Sequence, residues 1–302
     1  MTITRGYPGS GKTTWALAQT KNPNTVKAPS RDDLRAALYG VEVGNAEQET
    51  NVTAVQFAAV RRLLADGREV IVDNTHLRYR DAQRWADLAE DLGVRFACFD
   101  FYTTVSVCKA NNRRRGESGG RMVPPEVIDS MAKRYPRESW MPVEPRHRLD
   151  IQPVEFDPAL PVAFIWDVDG TLALNESGRS PFDMSRVLAD SPNPFVLRVQ
   201  RMLREYAGGS LERPKHFVFT GRTDDARLNT EQWLSGFTAG YDALHMRRLG
   251  DQRKDSVVKL EMFNEHIRGR YNVVGVFDDR NQVVSMWRRL GLTCFQVAEG
   301  DF

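Results

Sequence analysis

The sequence predicts an α/β protein of two domains, each built on a parallel sheet, and three observations carry that prediction. Short apolar runs of strand length alternate with longer helix-compatible stretches in both halves of the chain, the pattern left by crossover connections between parallel strands. Two of these runs end in turns rich in glycine and polar side chains, at residues 6–13 and 167–171. Between them six prolines fall in 26 residues, from Pro136 to Pro161, which interrupts every helical or strand period. With 302 residues and 41% hydrophobic content, the chain has apolar material for two cores. The boundary is placed near residue 150, giving domains 1–150 and 151–302.

Bulk composition narrows the class without choosing a partner. The formal net charge is +2, so a polyanionic partner would have to be held by local basic grooves. Cys98, Cys108 and Cys294 are scattered, without a C-x-x-C pair or zinc spacing, and point to a reducing compartment. No apolar run approaches the roughly 20 residues that span a bilayer. Met1 leads almost directly into a strand and a glycine loop, leaving no room for a signal peptide. The expectation is a soluble, cytoplasmic protein with no membrane contact.

In the first half, Gly6-Tyr7-Pro8-Gly9-Ser10-Gly11-Lys12-Thr13 fits G-x-x-x-x-G-K-[ST] between a short strand and a helix-compatible segment that opens at Thr14. Gly6, Gly9, Ser10 and Gly11 let backbone amides face phosphate oxygens, Lys12 reaches the outer phosphates of a nucleoside triphosphate, and Thr13 is placed to ligate Mg²⁺. Ser30-Arg31-Asp32-Asp33-Leu34-Arg35 follows a second strand. It reads either as a helix cap or as an acceptor site with a base and a phosphate-binding arginine. Val70 to Asp73 is a third parallel strand with Asp73 at its end, and His76 follows on a loop. Arg95 to Tyr102 reads as the fourth strand. The helix after it ends in Asn112-Arg113-Arg114-Arg115-Gly116, either a solvated helix end or an arginine-bearing lid over the phosphates. Trp140 and Met141 are expected to pack the connector onto this domain.

In the second half, the strand Phe164 to Trp166 emits Asp167 and Asp169 on one face, beside Gly170 and Thr171. Such a pair can hold Mg²⁺ while one carboxylate attacks phosphorus and the other handles protons. Asn175 to Asp183 has no helical period and carries Arg179; residues 193–206 read as an amphipathic helix with Phe195, Val196, Val199, Met202 and Leu203 inward. The strand His216 to Phe219 delivers Thr220-Gly221-Arg222, a hydroxyl and glycine suited to a phosphate clasp, with Arg222 available for bidentate pairing. Arg253, Lys254 and Lys259 all lie near the start of the next helix, and spacing does not choose among them. Val273 to Phe277 is a buried strand ending in Asp278 and Asp279, which complete a metal site with Asp167 and Asp169.

DVDGT matches the aspartyl-phosphatase motif of the haloacid dehalogenase superfamily. Taken in order, GYPGSGKTTWA, SRDDLR, DNT, NNRRRG with VPPEVIDSM, DVDGTLA and the terminal QVAEGDF resemble the bifunctional polynucleotide 5′-kinase/3′-phosphatase family of T-even bacteriophages over nearly the whole chain. The resemblance implies a P-loop kinase fold followed by a haloacid dehalogenase-like, Rossmannoid phosphatase. It implies Asp32 as kinase base, Arg35 on the acceptor's 3′ phosphate, Asp73 supporting that arginine, and Arg115 gripping the donor phosphates. Asn111 departs from the pattern, standing where a further basic residue would extend the lid. In the phosphatase it implies attack by Asp167, acid–base work by Asp169, Lys259 as the neutralising cation, and Arg179 and Arg222 on substrate phosphates.

The function expected on this basis is end healing: the ATP γ-phosphate, or that of another NTP, goes to a 5′-hydroxyl of RNA or DNA, and a 3′-phosphate is removed. Mg²⁺ serves both sites, the products suit a ligase, and a homo-oligomer, by analogy a tetramer, would work in the host-cell cytoplasm if the source is viral. The rival is a metabolic enzyme pairing a small-molecule kinase with an opposing phosphatase. Arg35 and the order of motifs favour the polyanionic acceptor. A nucleotide-dependent switch with decayed sites is disfavoured, because no expected catalytic side chain is missing.

Overall fold

The structure is a computed structural model that describes residues 1–302 except 177, 181–182, 206–212 and 301–302. Parts of the 175–183 segment, the end of the 193–206 helix and the last two residues of QVAEGDF therefore lie outside the described residues. The chain forms two compact units, Met1–Arg148 and Leu149–Phe302.

In the first unit, β1 (Thr2–Arg5), α1 (Lys12–Gln19), β2 (Thr25–Lys27), α2 (Arg31–Tyr39), α3 (Ala46–Ala65), β3 (Glu69–Val72), α4 (Tyr79–Leu92), β4 (Ala97–Asp100), α5 (Val105–Glu117) and α6 (Pro125–Arg134) follow in sequence. The four strands form a parallel sheet in the order β2-β3-β1-β4. This order sets the end of β1 between the ends of β3 and β4, so the glycine loop faces Asp73. Ile3, Val70 and Val72 pack on Val60 and Leu64 of α3 and on Trp85 and Leu88 of α4. Polar caps start α2 and α3: Ser30 Oγ accepts from Asp33 N, and Asn45 forms a capping box with Gln48. Trp140 packs against Tyr7 at 5.7 Å between ring centroids. Met141, expected to pack too, is 66% exposed, and only its carbonyl engages the unit, accepting from Arg5.

In the second unit, β5 (Val162–Trp166), β6 (Ala173–Leu174), β7 (Ser191–Pro192), α7 (Pro194–Glu205), β8 (Lys215–Thr223), α8 (Arg227–Phe237), β9 (Ala243–Arg247), α9 (Asp255–His266), β10 (Asn272–Arg280), α10 (Asn281–Arg289) and β11 (Cys294–Gly300) follow. Five of them form a parallel sheet, β11-β10-β5-β8-β9, and β6 with β7 makes a small antiparallel pair. The central strand β5 thus ends between β10 and β8, which brings three motifs distant in sequence to one sheet edge. The inward face of α7 differs from expectation: Phe195 is 74% and Met202 69% exposed. The buried stripe runs through Val196 and Gln200, because the Gln200 amide donates to the Gly240 carbonyl and accepts from Ala239 N. Satisfying that backbone turns Phe195 and Met202, seven residues apart on another stripe, towards solvent.

Candidate active sites

In the first unit the chain leaves β1 and wraps through Gly6 to Gly11. Gly9 has φ +80°, and a Cβ there would overlap the Cys108 carbonyl of α5, so only glycine fits. The first amides of α1 have no intrahelical partner and suit an anion. Lys12 is buried; its Nζ donates to the carbonyls of Gly6 (2.9 Å) and Tyr7 (2.8 Å) and to Ser10 Oγ (3.3 Å). Burial pushes its pKa down to about 8, against an upward pull from Asp73. Thr13 and Thr14 are exposed at the start of α1.

Asp32 and Arg35 lie on α2 and are held together. Arg35 Nη1 donates to Asp32 Oδ1 at 2.8 Å, and its Nε and Nη2 donate to Glu49 of α3 at 2.5 and 3.2 Å. Glu49 also accepts from Arg31 Nη2 at 2.5 Å, and hydrogen bonds from Arg35 lower its pKa to about 2. Asp32 is 54% exposed and pairs with Arg121 as well. Burial raises its pKa, but hydrogen bonds from Arg35 and Arg121 outweigh that and leave it below the ordinary value. The expected support of Arg35 by Asp73 is absent. Asp73 instead accepts from Thr4 Oγ1 at 3.3 Å, and Glu49, in the first turn of α3, takes the supporting place beside α2. The three arginines 113–115 lie inside α5, which runs on to Glu117. Arg115 donates to Asn112 at 2.9 Å, and its charge reaches Lys12; Asn111 ties α5 to the loop by donating to the Gly9 carbonyl at 3.0 Å.

In the second unit Asp167 follows β5, its N–H bonded to the Phe277 carbonyl at 2.9 Å. Asp167, Asp278 and Asp279 are buried and present carboxylate oxygens within 4.8 Å of one another. Lys259 Nζ lies between them, 2.6 Å from Asp167 Oδ1 and 2.8 Å from Asp278 Oδ2, and Trp287 Nε1 donates to Asp278 at 3.3 Å. Gly170 has φ +84°, and a Cβ there would overlap the Asp279 carboxylate. Three acids against one lysine leave excess negative charge. Burial, opposed by Lys259, pushes Asp167 well up, and burial with the Asp278 charge pushes Asp279 up to about 6. Burial opposes the charge on Lys259, but Asp167 and Asp278 more than restore it and raise its pKa. An all-oxygen donor set with surplus charge fits a hard divalent cation.

Asp169 does not join that group. Its carboxylate accepts from Arg222 Nε (2.9 Å) and Nη2 (2.8 Å) and from Arg179 Nη2 (2.8 Å), so it stands at the site's edge with 43% of the side chain exposed. Burial raises its pKa, but Arg222 and then Arg179 bring it below the ordinary value. Nor are the two arginines turned to a substrate, as expected. Both are buried against Asp190, which accepts from Arg179 Nε (2.8 Å) and Nη2 (2.7 Å) and from Arg222 Nη2 (2.7 Å). Thr220 is buried within β8, its Oγ1 accepting from Arg222 N at 3.2 Å. Gly221 lies against Asp255, whose Oδ1 would be 2.6 Å from a Cβ there; Asp255 pairs with Arg247 and Arg280. Glu49, Asp190 and Asp255 carry no motif signal, and only the partners brought to them by the fold reveal them.

Comparison with known proteins finds a family match in each of the two units. The family model of the polynucleotide kinase PNKP phosphatase domain matches residues 161–302, and an AAA domain model matches residues 1–137. A protein of Autographa californica nuclear polyhedrosis virus named as a bifunctional polynucleotide kinase/RNA ligase is 27% identical over 315 residues. That alignment covers 97% of this chain but 41% of the relative, so the chain spans less than half of that protein's length. A chain of the solved Pnkp1/Rnl/Hen1 RNA repair complex is 33% identical, with 100% of this chain and 96% of that one covered and a TM-score of 0.48. A second structure of the Pnkp1/Rnl/Hen1 complex gives 32% identity, coverage of 100% and 97%, and a TM-score of 0.48.

Proposed function

The chain belongs to the polynucleotide kinase–phosphatase family, and from that premise we propose that it heals nucleic-acid ends, phosphorylating a 5′-hydroxyl and removing a 3′-phosphate. The observation that carries the reading is the convergence of Asp167, Lys259, Asp278 and Asp279 on one sheet edge, in a chain whose other unit sets Lys12 in a glycine phosphate loop.

In the kinase reaction Asp32 accepts the proton of the attacking 5′-hydroxyl, and its exposure gives an acceptor access. Arg35, fixed by Glu49, orients the acceptor through its phosphate. Lys12, Thr13, Thr14 and the loop amides bind ATP, and Arg115 stabilises the charge on its phosphates. In the phosphatase reaction an Asp167 oxygen bonds to phosphorus as the bond to the 3′ oxygen breaks, and that oxygen takes a proton from Asp169. Water, losing its proton to Asp169, then displaces the Asp167 oxygen and releases phosphate. Asp169 must carry that first proton although Arg179 and Arg222 hold it ionised, so the clamp loosens as substrate phosphate competes for the guanidiniums. Thr220 flanks the same phosphate, and Lys259 keeps Asp167 aligned. Bound Mg²⁺, held by Asp167, Asp278 and Asp279, would neutralise the approaching phosphate. RNA or DNA ends, hand-over to a ligase, a phage-type origin with work in the host cytoplasm, and a homo-oligomeric state complete the proposal.

The test uses labelled ATP, Mg²⁺ and an oligonucleotide with a 5′-hydroxyl and a 3′-phosphate. Both ends should change, and chelation should stop both reactions. Lys12→Ala should abolish label transfer and spare 3′-phosphate release, and Asp167→Asn should do the reverse. Phosphorylation of a sugar or nucleoside with both oligonucleotide ends untouched would sink the proposal.

A further inference from the structure

Between α3, the start of α4 and α6, the first unit holds a cavity of about 420 Å³, within the range of small-ligand sites. Its wall carries three guanidiniums, Arg31, Arg78 and Arg84, against one carboxylate, Asp81. Arg31 directly precedes Asp32, and Glu49 holds it beside Arg35, so the cavity begins where the acceptor-side residues end. Arg84 is fixed over the ring of Phe57, 4.8 Å from its centroid, and Phe57 stacks on Trp85 at 3.8 Å. Stacking orients a guanidinium plane while its edge still donates to anions. Arg84 makes no ion pair among the described residues. Arg78 is exposed and bonded to the Tyr135 hydroxyl.

His76 adds a neutral acceptor to the same wall. It is 5% exposed, and its backbone is left-handed, with φ +43°, a conformation that non-glycine residues adopt at some energetic cost. Nδ1 donates to the Thr4 carbonyl at 2.7 Å, which leaves Nε2 with a lone pair, and Nε2 is buried without a partner. Burial pushes the pKa down to about 4, so the ring stays neutral. The roles given above to Lys12, Asp32 and Arg35 use none of these groups.

We propose that this cavity binds the nucleotide next to the reacting one on the acceptor strand, with Arg78 and Arg84 on its phosphodiester and His76 accepting from its nucleoside. The inference rests on the kinase reading and deepens it: the subsite distinguishes a polynucleotide end from a small acceptor. A nucleoside 3′-monophosphate stops short of the cavity, and a trinucleotide with a 5′-hydroxyl fills it. Phosphorylation of both acceptors should be compared in the wild type, Arg78→Ala and Arg84→Ala. Each substitution should lower kcat/KM for the trinucleotide roughly 10-fold or more, and for the monophosphate less than about threefold, as expected from loss of one charge-assisted hydrogen bond. The slope of log kcat/KM against log salt for the trinucleotide should flatten by about 0.7 per lost phosphate contact. Equal losses on both acceptors, or no loss on either in both variants, would overturn the subsite while leaving the kinase reading intact. A wild type that phosphorylates neither acceptor would overturn both.

Discussion

Replacing Asp190 with asparagine tests the buried clamp of the phosphatase site with little change in volume. In the native protein Asp169 and Asp190 balance the charges of Arg179 and Arg222. The neutral amide would leave one surplus positive charge around side chains that are 2% exposed for Arg179 and 0% for Arg222. It would also turn an NH₂ group towards guanidinium donors, so at least one of the three bonds to Asp190 becomes donor against donor. Arg222 Nη1 is already buried without a partner, so the network has no spare acceptor. Breaking one partner out of a buried ion pair costs about 3–5 kcal/mol. Asp169 is 43% exposed and admits water to one edge, which lowers the expectation to roughly 2–4 kcal/mol. At about 2–4 °C per kcal/mol for a domain of this size, the unfolding midpoint of the second unit should fall by roughly 10 °C. The freed arginines would also pull Asp169 from its place, and a loss of about 100-fold in phosphatase kcat corresponds to roughly 2.7 kcal/mol. Thermal unfolding followed by tryptophan fluorescence and phosphate release from a 3′-phosphorylated oligonucleotide measure the two effects, with 5′ phosphorylation as the internal control. An Asp190→Asn variant with an unchanged midpoint and full phosphatase turnover would refute the reasoning.

Glu49→Gln should lower kinase kcat/KM by roughly 10-fold or more, since Arg35 and Arg31 both lose a charged partner, and should spare 3′-phosphate release. The depressed Glu49 pKa contributes stability that is fully present above its unfolded value of 4.5 and is lost as pH falls through about 2. The shift corresponds to at most about 3.4 kcal/mol, and with the side chain 32% exposed we expect ~1–2 kcal/mol. Denaturant unfolding at pH 7 should therefore separate wild type from Glu49→Gln by that amount, and the two should converge near pH 2; a constant gap across this range would contradict the assignment. Gly170→Ala should displace the Asp279 carboxylate and force a left-handed backbone on alanine. Phosphatase activity should fall by about 100-fold or more with kinase activity kept, as for other losses of preorganised charge at a reacting phosphate, and Mg²⁺ titration should show weaker binding. Near-native turnover at unchanged Mg²⁺ demand would count against a metal role for Asp279.

Local chemistry made much of both sites legible. The phosphate loop needs glycines, a lysine and a helix start in direct succession, and the DVDGT strand needs apolar residues followed at once by acids, so each is written in contiguous residues. Asp278 and Asp279 were readable for the same reason, as acids at the end of an apolar run. Arg179, Arg222 and Asp169 were visible as charged residues near the right strands, but their partners were not. Asp190 follows a 3-10 turn with no motif around it, and Glu49 sits on a helix where Glu47 and Arg62 face solvent. A charged side chain in an unremarkable segment becomes a clamp only when the fold delivers guanidiniums to it. The α7 face went wrong through the same gap: hydrophobicity ranked Phe195 and Met202 inward, but the unsatisfied backbone at residues 239–240 drew Gln200 into the interior instead.

By itself, then, the sequence determined two α/β halves, a phosphate loop in the first and a strand ending in paired acids in the second, because backbone geometry and side-chain spacing act over a few residues. The tertiary structure decided which charge faces which: Glu49 rather than Asp73 holds Arg35, Asp190 shares the arginines with Asp169, and Lys259 rather than Arg253 or Lys254 reaches Asp167. Ion pairs of this kind join residues 10 to 92 positions apart, and the strand order that closes the longer of those distances is set by the packing of whole sheets and helices.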